Sequence, residues 1–537
     1  MEFDYVIVGG GSAGAVLANR LSEDPQVTVA LLENGVDDRS PAIHTPFGMI
    51  TTVPTHYLNY AYQTVPQPGL LYRRGYQPRG KTLGGSSAIN AMVYVRGHPG
   101  DYDDWAAMGN PGWSWADVLP YFIRSENNER LGAPWHGQNG PLSVTDLRSP
   151  SAAREAFIAG AREAGFPISE DFNDGENQEG VGAYQVTQVD GRRCSSARAY
   201  LTPVRQRENL AVFTRTKALR LIMAGKLCKG VETLRRERRQ RFTARREVLL
   251  CAGAFNSPQI LMHSGIGPAE HLQENHIPVV HNLEGVGQNL QDHPDFVTTY
   301  RSRRRDVLGP SPTGIWHLAR DAWRFSRGGD GGLMHTNGAE GGGFLKTDPH
   351  LARPDVQLHY VVGILRDHAR SLSPHHGVSL HTCILRPKSV GWVKVSGPNP
   401  LDAPLIHPNF LHHPDDLENL LKAIRLSQRI MQAPSMSAYA EEETHPVLHL
   451  PDEELRTVIR ERTDTVYHPI GTCRMGSDDR AVVDSELRVR GIGQLRVIDA
   501  SVMPTLIGGN TNAPTMMIAE KAADLIKAAQ QEDRLAV

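Results

Sequence analysis

Apolar positions in the first 35 residues fall into two short blocks separated by a glycine turn and a helix-like run. Phe3 to Val8 reads as a buried strand, Gly9 to Gly14 as a tight turn, Ala15 to Leu21 as a helix and Val27 to Leu32 as a second strand. This is a βαβ opening. From Leu210 through Val231 to Ala252, apolar residues alternate around a charged turn, which predicts an antiparallel hairpin ending in Gly253-Ala254. The opening pattern returns near the C-terminus, with a strand at Leu495 to Ile498 and an Ala-rich helix from about Thr515 to Ala529. A Rossmann-like α/β domain is therefore expected from discontinuous segments, residues 1–150, 190–298 and 460–537. Residues 151–189 and 299–459 are assigned to a second, α+β domain with an antiparallel sheet. Runs such as Val356 to Val362 and Val378 to Leu385 read as its strands.

At 537 residues the chain is long enough for two or more cores. A net charge of -2 and 40% hydrophobic residues describe a globular protein with no overall pull toward nucleic acid. The five cysteines are odd in number, widely spaced and form no Cys-x-x-Cys, the pattern of reduced thiols in a cytoplasmic protein. The N-terminus runs into Val6-Ile7-Val8 without a basic leader or a small-residue cleavage site, so no export is expected. No apolar run approaches the roughly 20 residues of a spanning helix, and membrane contact is expected to be peripheral at most.

Gly9-Gly10-Gly11-Ser12-Ala13-Gly14 supplies Gly-x-Gly-x-x-Gly directly after a strand, and Glu33 stands at the end of the next one. Such glycines let a pyrophosphate approach the N–H groups and dipole of the following helix, while the carboxylate accepts from ribose hydroxyls. Gly9, Gly11, Ser12, Ala13, Gly14 and Glu33 are the candidate nucleotide contacts. The turn alone does not separate NAD from FAD.

Longer motifs do. Residues 79–97 read Arg-Gly-Lys-Thr-Leu-Gly-Gly-Ser-Ser-Ala-Ile-Asn-Ala-Met-Val-Tyr-Val-Arg-Gly, and residues 253–268 read Gly-Ala-Phe-Asn-Ser-Pro-Gln-Ile-Leu-Met-His-Ser-Gly-Ile-Gly-Pro. They are followed by Val286 to His293, Tyr467 to Gly476, Val497 to Ser501 and Gly509 to Thr515. In this order, over essentially the whole chain, the blocks resemble the signatures of the glucose-methanol-choline (GMC) oxidoreductases. The stretch from Asp171 to Leu201 looks closest to bacterial FAD-dependent dehydrogenases of aliphatic primary alcohols, with choline dehydrogenase also similar. The resemblance implies FAD, so the three-piece domain becomes the FAD-binding one and the second the substrate-binding one. It places Gly84, Gly85, Ser87, Asn90, Ala91, Met92 and Val93 against flavin and pyrophosphate, where Gly and Ser leave room for backbone approach. By the same comparison Asp499, Ala500, Asn510 and Thr511 lie along the ribityl and pyrophosphate portion, and Ala218 against the adenine. Asp499 is also suited to capping a helix. Ile89 stands where some members carry a flavin-linking histidine, so non-covalent FAD is expected.

Alcohol oxidation needs a base that is neutral near physiological pH and a donor for the developing alkoxide. The resemblance assigns these roles to His468 and Asn512. Glu340 and His359 align with positions that face substrate in choline-oxidising relatives, where a cation can be recognised. The expected reaction is oxidation of a primary alcohol to an aldehyde, by proton abstraction and hydride transfer to flavin N5, with a quinone-type, membrane-borne acceptor. Choline oxidation, oxygen as acceptor beside the small Val466, and cyanohydrin cleavage over a structural flavin are the alternatives. His375-His376 and His412-His413 lack a metal-ligand pattern, and Cys473 reads as packing. Arg235, Arg236, Arg238, Arg239 and Arg241 read as a solvated turn, with docking to anionic lipid as the alternative. The oligomeric state is not legible.

Overall fold

Strand Glu2–Val8 is buried from Asp4 onward, as befits the middle of a parallel sheet covered on both faces. In the computed structural model, Val29–Leu32 and Arg238–Leu250 flank it in parallel, and Leu210–Phe213 extends the sheet beyond Val29–Leu32. The structure describes all residues except 330, 372, 536 and 537, and the side chains of 313, 315 and 532–535 lie outside the description. The sheet turns antiparallel where Arg238–Leu250 meets Leu227–Arg235, which in turn pairs with Thr216–Ala224. The last residues of the long strand, Val248 to Leu250, take the C-terminal strand Leu495–Val497 as a parallel partner.

The predicted hairpin from Leu210 to Ala252 is thus a parallel edge strand followed by a three-stranded meander. Arg215 breaks the run with a left-handed φ of 53°, which frees Leu210–Phe213 to pair with Val29–Leu32 instead. Of the arginine cluster only Arg236 sits in the hairpin turn, where it and Glu237 are both at positive φ; Arg235, Arg238, Arg239 and Arg241 lie on the two strands that the turn joins. Arg239 pairs with Glu232 and Arg235 lies over the Phe213 ring.

The C-terminal helix, Asn512–Leu535, starts earlier than the pattern predicts, because Pro514 falls in its first turn, where a missing N–H leaves no bond unmade. It packs on helix Ser12–Leu21 through one buried carboxylate. Glu520 accepts two hydrogen bonds of 2.8 Å from Arg20 and one of 2.9 Å from the Tyr200 hydroxyl, and the Arg124 guanidinium stands 2.9 Å away. Partners from three other chain segments offset the cost of burying this charge.

The second sheet is antiparallel throughout. Its order is Glu442–Glu443, Pro294–Arg301, Gly377–Ile384, Val356–Val361, Ala339–Leu345, Gly180–Ala183, with Asp464–Thr465 also on Pro294–Arg301. Helices Ala152–Glu163 and Pro414–Met431 cover it, and Phe157 stacks on Tyr360 at 4.5 Å. The fold is the α/β class expected, a Rossmann-like domain joined to an α+β one. We propose the five-segment division on the packing: Ala153 and Phe157 belong to the second core, Ala197 and Tyr200 to the first. Strand Pro294–Arg301 begins five residues before the expected boundary at 299. Among the described residues, no helix is long and apolar enough to cross a membrane.

Glu520→Ala should leave Arg20 with only the half-exposed Glu23 as a partner and lower unfolding stability by about 3 kcal/mol in urea titrations. A change within error would show that this carboxylate does not hold the three-piece domain together.

Candidate active site

A cavity of about 640 Å³ lies at the carboxyl ends of the parallel strands, walled on one side by Val8 and Leu32 and on the other by Val297 and Val361 of the second sheet. This is where open α/β sheets take ligands. Gly9, Gly11, Ser12 and Ala13 line it, and Gly9 holds a φ of 107° that only glycine adopts readily. Gly14, expected among the contacts, faces the strand instead: a Cβ there would lie 1.9 Å from the Gly9 carbonyl oxygen. Its place is the close packing of helix on strand. Gly11 caps helix Ser12–Leu21 without a side-chain hydrogen bond, leaving first-turn N–H groups for an anion.

Glu33 accepts from the Gly10 and Gly35 N–H groups at 2.9 and 2.6 Å, and burial still raises its pKa to about 7. Gly85 approaches Gly11 so closely that a Cβ would sit 2.8 Å from the Gly11 Cα. Gly85, Asn90, Ala91, Met92 and Val93 line the cavity, whereas Gly84 and Ser87, predicted with them, shape the loop from behind. Gly84 N–H donates to the Gly10 carbonyl, and the Ser87 hydroxyl bonds back to the Gly84 carbonyl at 2.6 Å. Arg193, unassigned by the sequence, clamps this loop by donating to the carbonyls of Ile43, Ser87 and Asn90. Ala218, Asp499, Ala500 and Thr511 complete the wall. Asp499 accepts from Gly253 N–H, the Ser257 hydroxyl and Ser501 N–H, so it caps the turn Ala500–Val502 and also faces the cavity. An uncapped helix end, a carboxylate at a strand end and a long cleft between them fit a dinucleotide.

At the other end stands His468, buried and preceded by Tyr467 at a strained φ of 75°. Asp292 fixes the backbone here, accepting from His468 N–H at 2.8 Å, His293 N–H at 2.9 Å and the Thr465 hydroxyl at 2.5 Å. The protonation pattern follows from one chain of contacts. His293 Nε2 lies 3.1 Å from the carbonyl oxygens of both Leu385 and Ile507, which can only accept, so this nitrogen carries a hydrogen. Burial lowers the His293 pKa to about 4 and keeps the ring neutral, leaving Nδ1 as a lone pair. His468 Nδ1, at 2.9 Å, must donate to it. The Nε2 of His468 is then a bare acceptor, 3.1 Å from the Asn510 amide nitrogen. Burial, then His293, His359 and Arg79, hold His468 well below the ordinary histidine range. Arg79 is itself pulled down to about 10 by burial and donates to the Tyr467 carbonyl at 2.8 Å.

Two expected roles move. Asn512 lines the cavity but does not hydrogen-bond to His468; its amide oxygen accepts from the Ser12 hydroxyl at 2.7 Å, beside the glycine turn. The helix begins at Asn512, so that side chain is carried to the neighbouring helix end, while Asn510 in the loop before it reaches His468. Asn510 is oriented by Gln357, whose amide donates to its oxygen at 2.9 Å. Glu340 does not line the cavity. Ala339 does, and successive strand residues face opposite sides, so the Glu340 carboxylate accepts from Ser151 N–H at 2.8 Å and the Thr336 hydroxyl at 2.7 Å. His359 does face the cavity, with Nε2 3.5 Å from the Asn510 amide nitrogen and Nδ1 without a partner among the described residues. Besides Glu33 and Asp499 at the cofactor end, the carboxylates that line the cavity include Asp295. One of its oxygens is 2.6 Å from His381 Nδ1 and the other has no partner among the described residues. Strand periodicity could have found it, since Asp295, Val297 and Thr299 face the same way.

The GMC oxidoreductase family profile matches residues 3–295 with its N-terminal part and 387–519 with its C-terminal part. An "Alcohol dehydrogenase [acceptor]" of Pseudomonas putida is 44% identical over 98% of this chain and 95% of that one. The mitochondrial choline dehydrogenase of Mus musculus is 41% identical over 98% of this chain and 89% of its own length. Among solved structures, pyridoxine 4-oxidase from "Mesorbium loti" superposes with a TM-score of 0.88 at 32% identity, over 97% of this chain and 98% of that one.

His293, His359 and His468 are neutral in the folded protein and bind protons in the unfolded chain below the ordinary value of 6.5. Their contribution to stability is therefore full above that pH and is lost as the pH falls toward 4, the His293 value. Denaturant midpoints are expected to drop across this window, and less steeply in His468→Gln. Equal slopes would mean that His468 is not held neutral.

Proposed function

The chain belongs to the GMC oxidoreductase family and is an FAD-dependent oxidoreductase of CH–OH donors, and within that class we propose that it oxidises a primary alcohol to the aldehyde. The observation that carries this reading is the bare Nε2 of His468, aimed into the cavity beside the Asn510 amide. His468 takes the hydroxyl proton at Nε2, and Asn510 donates from its amide nitrogen to the oxygen as negative charge grows there. Burial makes an isolated imidazolium costly, so His468 gains its proton only together with the alkoxide, as an ion pair. The Nδ1 hydrogen bond to His293 holds the ring plane throughout. FAD held in this cleft would supply the acceptor for the hydride that leaves the carbinol carbon.

The N–H groups of the glycine turn would hold the pyrophosphate and Glu33 the adenosine ribose. Non-covalent binding is supported by Ile89, which lines the cavity with a side chain unable to bond the flavin. An alcohol substrate and an electron acceptor are supported by the P. putida relative, whose name specifies both; we propose that the alcohol is aliphatic and the acceptor quinone-type. We place the protein in the cytoplasm, in keeping with its five buried thiols. One observation favours choline as a second reading: Asp295, whose carboxylate pairs with His381, lines the cavity, and its charge would attract a trimethylammonium group.

Anaerobic mixing with 1-alkanols, an aryl alcohol, a polyethylene glycol and choline, followed by flavin absorbance, tests both. Bleaching should be fastest with an alkanol, fall by about 1,000-fold in His468→Ala and by about 100-fold in Asn510→Ala, with FAD retained. Asn512→Ala should chiefly weaken FAD retention; a larger rate loss there than in Asn510→Ala would reverse the assignment. Choline bleaching that Asp295→Asn abolishes would favour the second reading, and no bleaching by any alcohol would point to a lyase.

A further inference from the structure

Helix Pro312–Ser326 has two unlike faces. Inward, Leu318 and Phe325 pack with Phe47, Met334 and Ile50, and Ile50 also lines the catalytic cavity. Asp321 is buried on the same side and pairs with Arg320 at 2.9 Å. Outward, Trp316 and Trp323 stand two turns apart on one stripe, 61% and 56% exposed. Each ring carries a cation: Arg320 lies 5.3 Å from the Trp316 ring centre and Arg327 4.3 Å from that of Trp323.

The charge along this segment is mainly positive, with Arg301 and Arg303 paired to Glu442 and Glu441 of a neighbouring strand segment. Residues 301–327 hold seven arginines against two aspartates, and both aspartates are already paired, with Arg304 and Arg320. Arg305, Arg324 and Arg327 are exposed and have no carboxylate partner among the described residues. A solvated helix face of a water-soluble protein does not need two exposed indoles; an interfacial helix does, because the indole settles at headgroup depth while arginines snorkel to phosphate. At 15 residues the helix is too short to span a bilayer, so it would lie in the plane of the surface.

We propose that this helix docks the protein on an anionic phospholipid bilayer, with Trp316 and Trp323 in the headgroup layer and Arg305, Arg324 and Arg327 against lipid phosphates. The surface is separate from the Arg235–Arg241 hairpin. It puts the Ile50 wall of the cavity one helix away from lipid, so a lipid-soluble acceptor would meet the cavity there, a point that rests on the proposed function. The docking itself does not.

Flotation of the FAD-loaded enzyme with vesicles of phosphatidylcholine alone, or mixed with phosphatidylglycerol, tests the proposal. Binding should appear only with the anionic vesicles and weaken with salt. Arg324→Gln with Arg327→Gln should lower the partition coefficient about 30-fold, and Trp316→Ala with Trp323→Ala should abolish brominated-lipid quenching of tryptophan emission. Turnover with a soluble dye should stay at the wild-type level in both variants, showing that the fold and the active site are intact. Wild-type enzyme that stays unbound, binding indifferent to both pairs of substitutions, or a face that instead pairs two copies of the chain would overturn it. Should a variant fail to fold, depth-dependent quenching of the wild-type tryptophans alone decides the question.

Discussion

The hydrogen bond between His468 Nδ1 and His293 Nδ1 can form in only one sense, and the chemistry of the cavity depends on that sense. Two imidazoles cannot share one contact unless one donates and the other accepts. The donor is chosen at a distance, by the carbonyls of Leu385 and Ile507, which require a hydrogen on the far nitrogen of His293. Leu385 follows the second sheet and Ile507 belongs to the C-terminal segment. The tautomer of the base is therefore decided by both domains together.

Burial is the second half of the same constraint. Out of water a charged imidazole is costly, so His468, His293 and His359 all stay neutral. Asp292 pays part of the resulting cost by tying the backbone of the two linked histidines, and burial in turn raises its own pKa to about 6. A site of this kind keeps His468 unprotonated at rest, and in the proposed reaction gives it a proton only when an alkoxide appears alongside. Asn510 fits that logic, as a neutral donor that adds no charge to a cavity already crowded with imidazoles.

The cofactor end follows a different principle, backbone access rather than side-chain charge. Gly9 and Gly85 are glycine because other chain segments come too near for a Cβ, and the same closeness exposes the N–H groups of the helix that follows. Like Asp499, Glu33 takes backbone donors on both of its oxygens. Its surroundings are legible in sequence because every element is local: strand, turn, helix, strand, in an order fixed by about thirty residues.

That contrast separates what the chain states outright from what only its folding decides. The strand and helix periods, the glycine turn, Glu33 and His468 could be read directly, since each depends on neighbours close in sequence or on a long motif. The same motifs put Glu340, Gly84, Ser87 and Gly14 on a cavity that they do not line, gave Asn512 the place beside His468 that Asn510 takes, and were silent on the roles of His293, Asp295 and Arg193. Which of two nearby asparagines meets the base depends on where the last helix begins, and which side of a strand Glu340 takes depends on the register of Ala339–Leu345 against its neighbours. His293 and His468 are 175 residues apart, and no local pattern records a contact made by closing two domains on each other. Direction and proton placement belong to the tertiary structure, because they are set by what lies across a few ångströms of space and not along the chain.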